Sequence, residues 1–207
     1  MRKLAFLIYI AIGSLALADS IPKGYKLEEE FKSQTEDTIV RAYRGKPYDW
    51  TGSLEYRVFR KESPSVNGYL LWKGQNRASV LISSDGENIA LNNHVMSDLG
   101  LLYVFTRQKD GTYKNSDIDF MDKVSQMFEE SLSKKLDQAV DLDHSYCYAN
   151  TWLSDHQLLG VFTGHESGRL TLSGYWFIYD CNTKDFSFDL TNVNQSAIHF
   201  SHNEKTK

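Results

Sequence analysis

The sequence predicts an α+β domain: a mainly antiparallel β-sheet of hairpins and meanders, with one long amphipathic helix at about 117–139. Three observations carry this. Short runs with β-rich, partly alternating patterning recur between residues 38 and 105 and again between 146 and 200, the pattern of half-buried strands. Asp85-Gly86 and Asp110-Gly111 interrupt these runs, where a tight hairpin needs residues that tolerate positive φ. In between, a single stretch switches to the helical period.

Taken in order, residues 19–36 are polar and acidic (Glu28, Glu29, Glu30, Glu36) and contain Pro22 and Gly24, the composition of an extended arm or an edge strand. Ile39, Val40 and Ala42 lie in a first strand at 38–44. In the next, Leu54, Tyr56 and Val58 alternate with Glu55, Arg57 and Phe59, and Pro47 and Gly52 separate the two. Pro64, Asn67 and Gly68 mark a turn. Short β-rich runs follow at 69–72 and 78–82, joined across Gly74, then at 89–91 and 101–105. Met121, Val124, Phe128, Leu132, Leu136 and Ala139 recur at steps of three and four, which places them on one helical face. Ser116 or Asp117 can cap this helix. Asp117, Asp119 and Asp122 at its start, and Lys134 and Lys135 near its end, suit the helix dipole. Strands resume at 146–152, 158–163, 175–179 and 186–190, with 197–200 as a further edge strand and a fraying tail at 201–207.

The chain has 207 residues, 41% hydrophobic and 13% aromatic, which excludes disorder, and 3 prolines and 13 glycines exclude a low-complexity chain. A formal charge of −4 gives no electrostatic reason to bind nucleic acid. Arg2 and Lys3, the apolar run 4–17, and the small-x-small site Ala16-Leu17-Ala18 follow the order of a secretory signal. The run is shorter than the roughly 20 residues of a spanning helix. The expectation is therefore a signal peptide at 1–18 and one β-rich globular domain at 19–207, exported to a periplasmic or secreted location, with no stable membrane span after cleavage. Removing Arg2 and Lys3 makes the charge −4 − 2 = −6.

Export bears on Cys147 and Cys181. An oxidising compartment favours a disulfide, closing a loop of about 34 residues worth about 3–4 kcal/mol. The strand pattern opposes it: in a simple meander Cys147 begins the first strand and Cys181 ends the third, at opposite ends of the sheet. Both readings stand at this point.

Two segments echo each other, 83–105 and 153–179. In each, a Ser-Asp turn (Ser84-Asp85, Ser154-Asp155) precedes an apolar strand ending in a histidine (His94, His165). A polar loop follows, then a glycine (Gly100, Gly174) opens an aromatic-rich strand. This rhythm resembles half-blades of β-propeller repeats, but two copies cannot close a propeller of at least about 4 blades, and no family is claimed. If the copies are equivalent, the His94 and His165 loops share one side of the sheet. They carry Asn92, Asn93, Ser97 and Asp98 in one copy and Glu166, Ser167 and Arg169 in the other. His94, Asp98, His165, Glu166 and Arg169 are the candidate ligand-binding residues, because imidazoles titrate near neutral pH among polar partners.

Catalytic motifs do not assemble. Gly164-His165-Glu166-Ser167-Gly168 has the wrong spacing for a nucleophile elbow. His165-Glu166 opens an H-E-x-x-H pattern, but position 169 is Arg. Ser131 and Lys134 match S-x-x-K without its companion motifs. Asp141, Asp143 and His144 read as a solvated turn, without the ligand spacing of a metal site. Tyr175, Phe177 and Tyr179 share one strand face opposite Trp176 and Ile178, the pattern of aromatic residues packed into a core. Asn194-Gln195-Ser196 is a glycosylation sequon. No metal site and no cofactor is expected. The sequence points to an exported, soluble binding or interaction protein whose partner is an unknown protein or small molecule. An exported hydrolase using the His94 and His165 loops and a structural envelope-associated protein are the alternatives.

Overall fold

Alternation and turn chemistry build a chain of antiparallel hairpins in a computed structural model, which describes residues 21–62, 67–97, 99–136, 142–167, 170–187 and 198–200. The strands are β1 (Tyr25–Lys32), β2 (Thr38–Gly45), β3 (Leu54–Arg60), β4 (Tyr69–Gly74), β5 (Ala78–Ile82), β6 (Asn88–Met96), β7 (Leu99–Arg107) and β8 (Tyr113–Asn115), followed by helix α1 (Phe120–Leu136). After it come β9 (His144–Trp152), β10 (Gln157–Glu166), β11 (Leu170–Asp180), β12 (Phe186–Ser187) and β13 (Ile198–Phe200). They form two sheets. The smaller has the order β1-β2-β3-β4; the larger runs β12-β11-β10-β9-β7-β6-β5, with β8 on β7 and β13 on β11.

Tyr25–Lys32 of the polar N-terminal stretch is thus the edge strand β1, whose glutamates pair across to β2: Arg44 with Glu28 and Arg41 with Glu30. Gly86 and Gly111 take φ of +71° and +85°, as the two Asp-Gly turns require. Pairing is antiparallel except where β7 and β9 meet in parallel, at Leu99 with Ser145 and Gly100 with Tyr146.

The helix is a correction. Among the described residues it is a single short helix, Phe120–Leu136, rather than a long one from 117. Residues 137–139 of the expected span lie outside the described residues. Ser116 and Asp117 do not cap it. Ser116 N–H still bonds the Val104 carbonyl of β7, and Asp117 has a positive φ of 59°, so both belong to the exit from β8. Asp119 is the cap: its carboxylate accepts the Asp122 N–H at 3.0 Å.

The core has two apolar layers, one on each face of β6 and β7. On one side Phe120, Val124 and Phe128 of α1 pack with Ala90, Leu102, Val104, Cys147, Phe162, Tyr175 and Phe177. Phe128 meets the rings of Phe162 and Tyr175 at 5.8 and 5.4 Å. Tyr175, Phe177 and Tyr179 therefore face the helix, as core residues. On the other side Val40, Leu54, Tyr56 and Val58 of the small sheet pack against Val80, Ile89, Leu91 and Phe105. β6 is consequently buried from Asn88 to Asn93.

Beyond Gly100 and Tyr146 no further β7–β9 pairs occur, which leaves β9 backbone groups without a strand neighbour. Asn92 fills the gap. Its buried amide accepts the Ala149 N–H at 2.7 Å and donates to the Ala149 carbonyl at 2.9 Å, as a neighbouring strand would. Farther along, Trp152 Nε1 donates to the Leu81 carbonyl at 3.2 Å. The two Ser-Asp turns of the sequence echo touch there: Ser84 Oγ bonds the Asp155 carboxylate, and Asn88 Nδ2 donates to the Asp155 carbonyl at 2.8 Å.

Cys147 and Cys181 are both free thiols. Cys147 is near the start of β9 and Cys181 just past the end of β11, so of the two open readings the meander geometry prevails, and the disulfide that the compartment favoured is absent. Burial raises both thiols, Cys181 to about 12. Among the described residues no helix is long and apolar enough to cross a membrane.

Candidate functional site: a row of imidazoles and tyrosines

Alternation along β9 decides which rings face outward. Cys147 and Ala149 are buried in the helix-side core, so His144, Tyr146 and Tyr148 project from the opposite face of the strand. Antiparallel register then sets His165 of β10 directly across from His144. Their rings stack at 4.2 Å between centroids, with planes 13° apart. Tyr146 and Tyr148 stack at 5.9 Å, and Tyr148 meets the His94 ring at 5.0 Å. Along β9 the rings therefore follow one another as His165, His144, Tyr146, Tyr148 and His94.

Hydrogen bonds hold the row. Tyr148 Oη lies 2.9 Å from His94 Nδ1. Burial, with Tyr146 and Cys147 nearby, pushes the Tyr148 phenol up to about 12, so the phenol stays protonated in this contact. Which of Oη and Nδ1 donates is set by the tautomer of the His94 ring. Tyr146 Oη donates to the Ser97 carbonyl in the β6–β7 turn. Gly100 makes room: a Cβ there would lie 2.2 Å from Tyr148 Oη. At the other end Asp143 Oδ2 accepts the Ser167 N–H at 2.7 Å. The Ser167 bond, helped by nearby His144 and His165, holds the Asp143 carboxyl below its ordinary range. His144 Nδ1 is buried without a hydrogen-bond partner.

His94 and His165 both lie near the same end of the large sheet. They do not meet. The register runs from His94 through Gly100 and Tyr146 to Thr163 on β10, beside His165. Three strand spacings of about 4.8 Å and the two-residue offset from Thr163 to His165 put them about 16 Å apart. No single reacting atom lies within reach of both. Glu166 closes β10 beside His165. Asp98 and Arg169 lie outside the described residues, as do Asp141 and the sequon at 194–196. Asp143 is exposed in the turn before β9, as the solvated-turn reading expects, whereas His144 departs from it by opening β9 opposite His165. The sequence pattern ends these strands at 146 and 163, short of both histidines, so the pairing of His144 with His165 comes from the register alone. Among the described residues no three His, Cys, Asp or Glu side chains group to hold a metal ion. A separate shallow cleft of about 330 Å³ is lined by Leu81, Ile82, Trp152, Ser84, Thr151 and Ser154, away from the row.

No protein-family model matches the chain, and no curated protein matches it. A solved structure described as a hypothetical protein from Leishmania major aligns with 80% of this chain and 67% of its own. Identity is 10% and the TM-score 0.23, too low to define a shared fold.

Proposed function

We propose that this chain is an exported binding protein and that the imidazole–tyrosine row is its ligand surface. The observation that supports this is the row itself: His144, Tyr146 and Tyr148 on the outer face of β9, with His144 stacked on His165 of β10 and Tyr148 stacked on Tyr146 and against His94 of β6. A strip of flat, amphipathic groups suits an extended ligand with flat, partly apolar faces, the chemistry of an oligosaccharide chain. The unpartnered His144 Nδ1 adds a polar group that a ligand-induced shift of the ring would satisfy. Export rests on the signal pattern of residues 1–18. The separation of about 16 Å between His94 and His165 counts against the hydrolase alternative.

Calorimetric titration with soluble cello-, chito- and malto-oligosaccharides tests the reading. At least one should bind, and Tyr148→Ala and His144→Ala should each weaken that binding about tenfold or more, the loss of roughly one good stacking contact. No binding by any of the three, or binding indifferent to both substitutions, refutes the proposed surface.

A further inference from the structure

One loop of the small sheet is built stiffly yet displays its largest apolar side chains. Residues 46–52 join β2 to β3. Buried Arg44 supports them from below: one guanidinium nitrogen donates to the Asp49 carbonyl at 2.8 Å and to the Gly52 carbonyl at 3.0 Å. Glu28 holds the same guanidinium at 2.5 and 3.1 Å. The Asp49 carboxylate accepts the Thr51 N–H at 2.8 Å and its hydroxyl at 2.6 Å. Gly52 is packed so closely that a Cβ would lie 2.1 Å from the Pro47 carbonyl oxygen.

On this frame Trp50 is 84% exposed and Tyr48 49%. Tyr25 pairs with Gly45, so the turn at 21–24 adjoins the loop, and Ile21 there is 51% exposed. Lys23 and Lys46 are exposed at the same end, the latter 6.0 Å from the Tyr48 ring centroid. Arg77, at the end of the β4–β5 connection, is 75% exposed but already pairs with Glu28 at 3.6 Å, so Lys23 and Lys46 are the cations left to face a partner. The only carboxylate on the loop, Asp49, is taken up by Thr51. A chain of net negative charge thus carries one end where aromatic residues and cations are exposed together.

We infer that the 46–52 loop, with Ile21 and Lys23, docks on an anionic lipid surface, Trp50 and Tyr48 entering the headgroup region and Lys46 and Lys23 facing lipid phosphates. Tryptophan and tyrosine favour that boundary because each has an apolar body and a polar handle, and cations there gain from anionic lipid. The sequence supplies the second argument. Ile21 follows Ala18, the end of the apolar leader, by three residues, which span at most about 10 Å. A leader retained in the bilayer would hold this end, rather than the ring row, against it; with the leader removed, the exposed rings and cations alone carry the docking.

The test uses the full chain as an exporting host processes it, its N-terminus read by mass spectrometry. Vesicles are equimolar phosphatidylglycerol and phosphatidylcholine, with and without brominated phosphatidylcholine. Bromolipid should quench tryptophan emission in the wild type but not in Trp50→Phe, where Trp72, Trp152 and Trp176 remain. Where the leader has been removed, Tyr48→Ala/Trp50→Ala should lower the vesicle-bound fraction about tenfold or more. Phosphatidylcholine vesicles alone should bind more weakly. A retained leader would anchor every variant, and the Trp50-dependent quenching still reports the loop. Equal quenching in Trp50→Phe, or none in the wild type, overturns the inference.

Discussion

Asn92→Leu should open the seam of the large sheet. The substitution keeps the side-chain volume but removes an acceptor 2.7 Å from the Ala149 N–H and a donor 2.9 Å from its carbonyl. Asn92 is buried, and the Ala149 backbone it serves has no β7 partner at this point in β9. Each backbone group orphaned in a dry interior costs about 1–3 kcal/mol, so the pair should cost about 2–5 kcal/mol. The lost bond to Ser79 Oγ, at 3.2 Å near the surface, adds little. With a slope of about 2 kcal/mol per M, the urea midpoint should fall by about 1–2.5 M. Hydrogen exchange provides a local readout: the Ala149 amide should lose protection before amides paired within β10 and β11. Asn92→Asp is the informative companion, because it keeps the acceptor for Ala149 N–H but sets an oxygen against the carbonyl; it too should destabilise. A midpoint shift equivalent to less than about 0.5 kcal/mol in Asn92→Leu, with Ala149 still protected, would refute the view that one side chain replaces a strand here.

Gly100→Ala would place a methyl 2.2 Å from Tyr148 Oη, and should expel the ring from His94 and destabilise the fold by about 1–3 kcal/mol; calorimetry and the His94 imidazole signals in NMR check this. Asp119→Ala removes the helix cap and should cost about 1 kcal/mol in thermal or urea unfolding, whereas Asp117→Asn, which tolerates the φ of 59° at that position, should cost less than about 0.5 kcal/mol, because Asp119 and not Asp117 holds the Asp122 N–H. Stability should show a plateau in pH. Glu28 and Glu30 are held below 4.5 by Arg44 and Arg41, so their contribution is full above about pH 4.5 and is lost as pH falls. Cys181 and Tyr148 are raised by burial from 9.0 and 10.0 to about 12, and Cys147 is raised as well, so their contribution is full below about pH 9 and is lost as pH rises toward 12. Urea midpoints across the range test both limbs, and a midpoint unchanged between about pH 9 and 11 would contradict the alkaline one. In the native protein at neutral pH both thiols should react slowly with a disulfide reagent, and two should titrate after unfolding.

The hairpins were legible in the sequence because their causes are local. Alternation in Leu54, Tyr56 and Val58 marks a strand wherever it packs, and Asp-Gly at 85–86 and 110–111 supplies positive φ without help from the rest of the chain. Spacing of Val124 and Phe128 announced the helical face for the same reason. The helix start was missed because three aspartates compete for it, and what selects Asp119 is the ladder that still holds Ser116 to Val104. β8, three residues long, gives no periodic signal.

The sequence by itself determined strands, turns and one helical face, and left the pairing of Cys147 with Cys181 open. Only the tertiary structure decided that the strands divide into two sheets, that β7 meets β9 in parallel, that Asn92 stands in for a missing strand, and that His144 stacks on His165. Turn and period are written in residues a few positions apart. Which strand lies beside which depends on how distant apolar faces share one core, and short-range pattern carries little of that information.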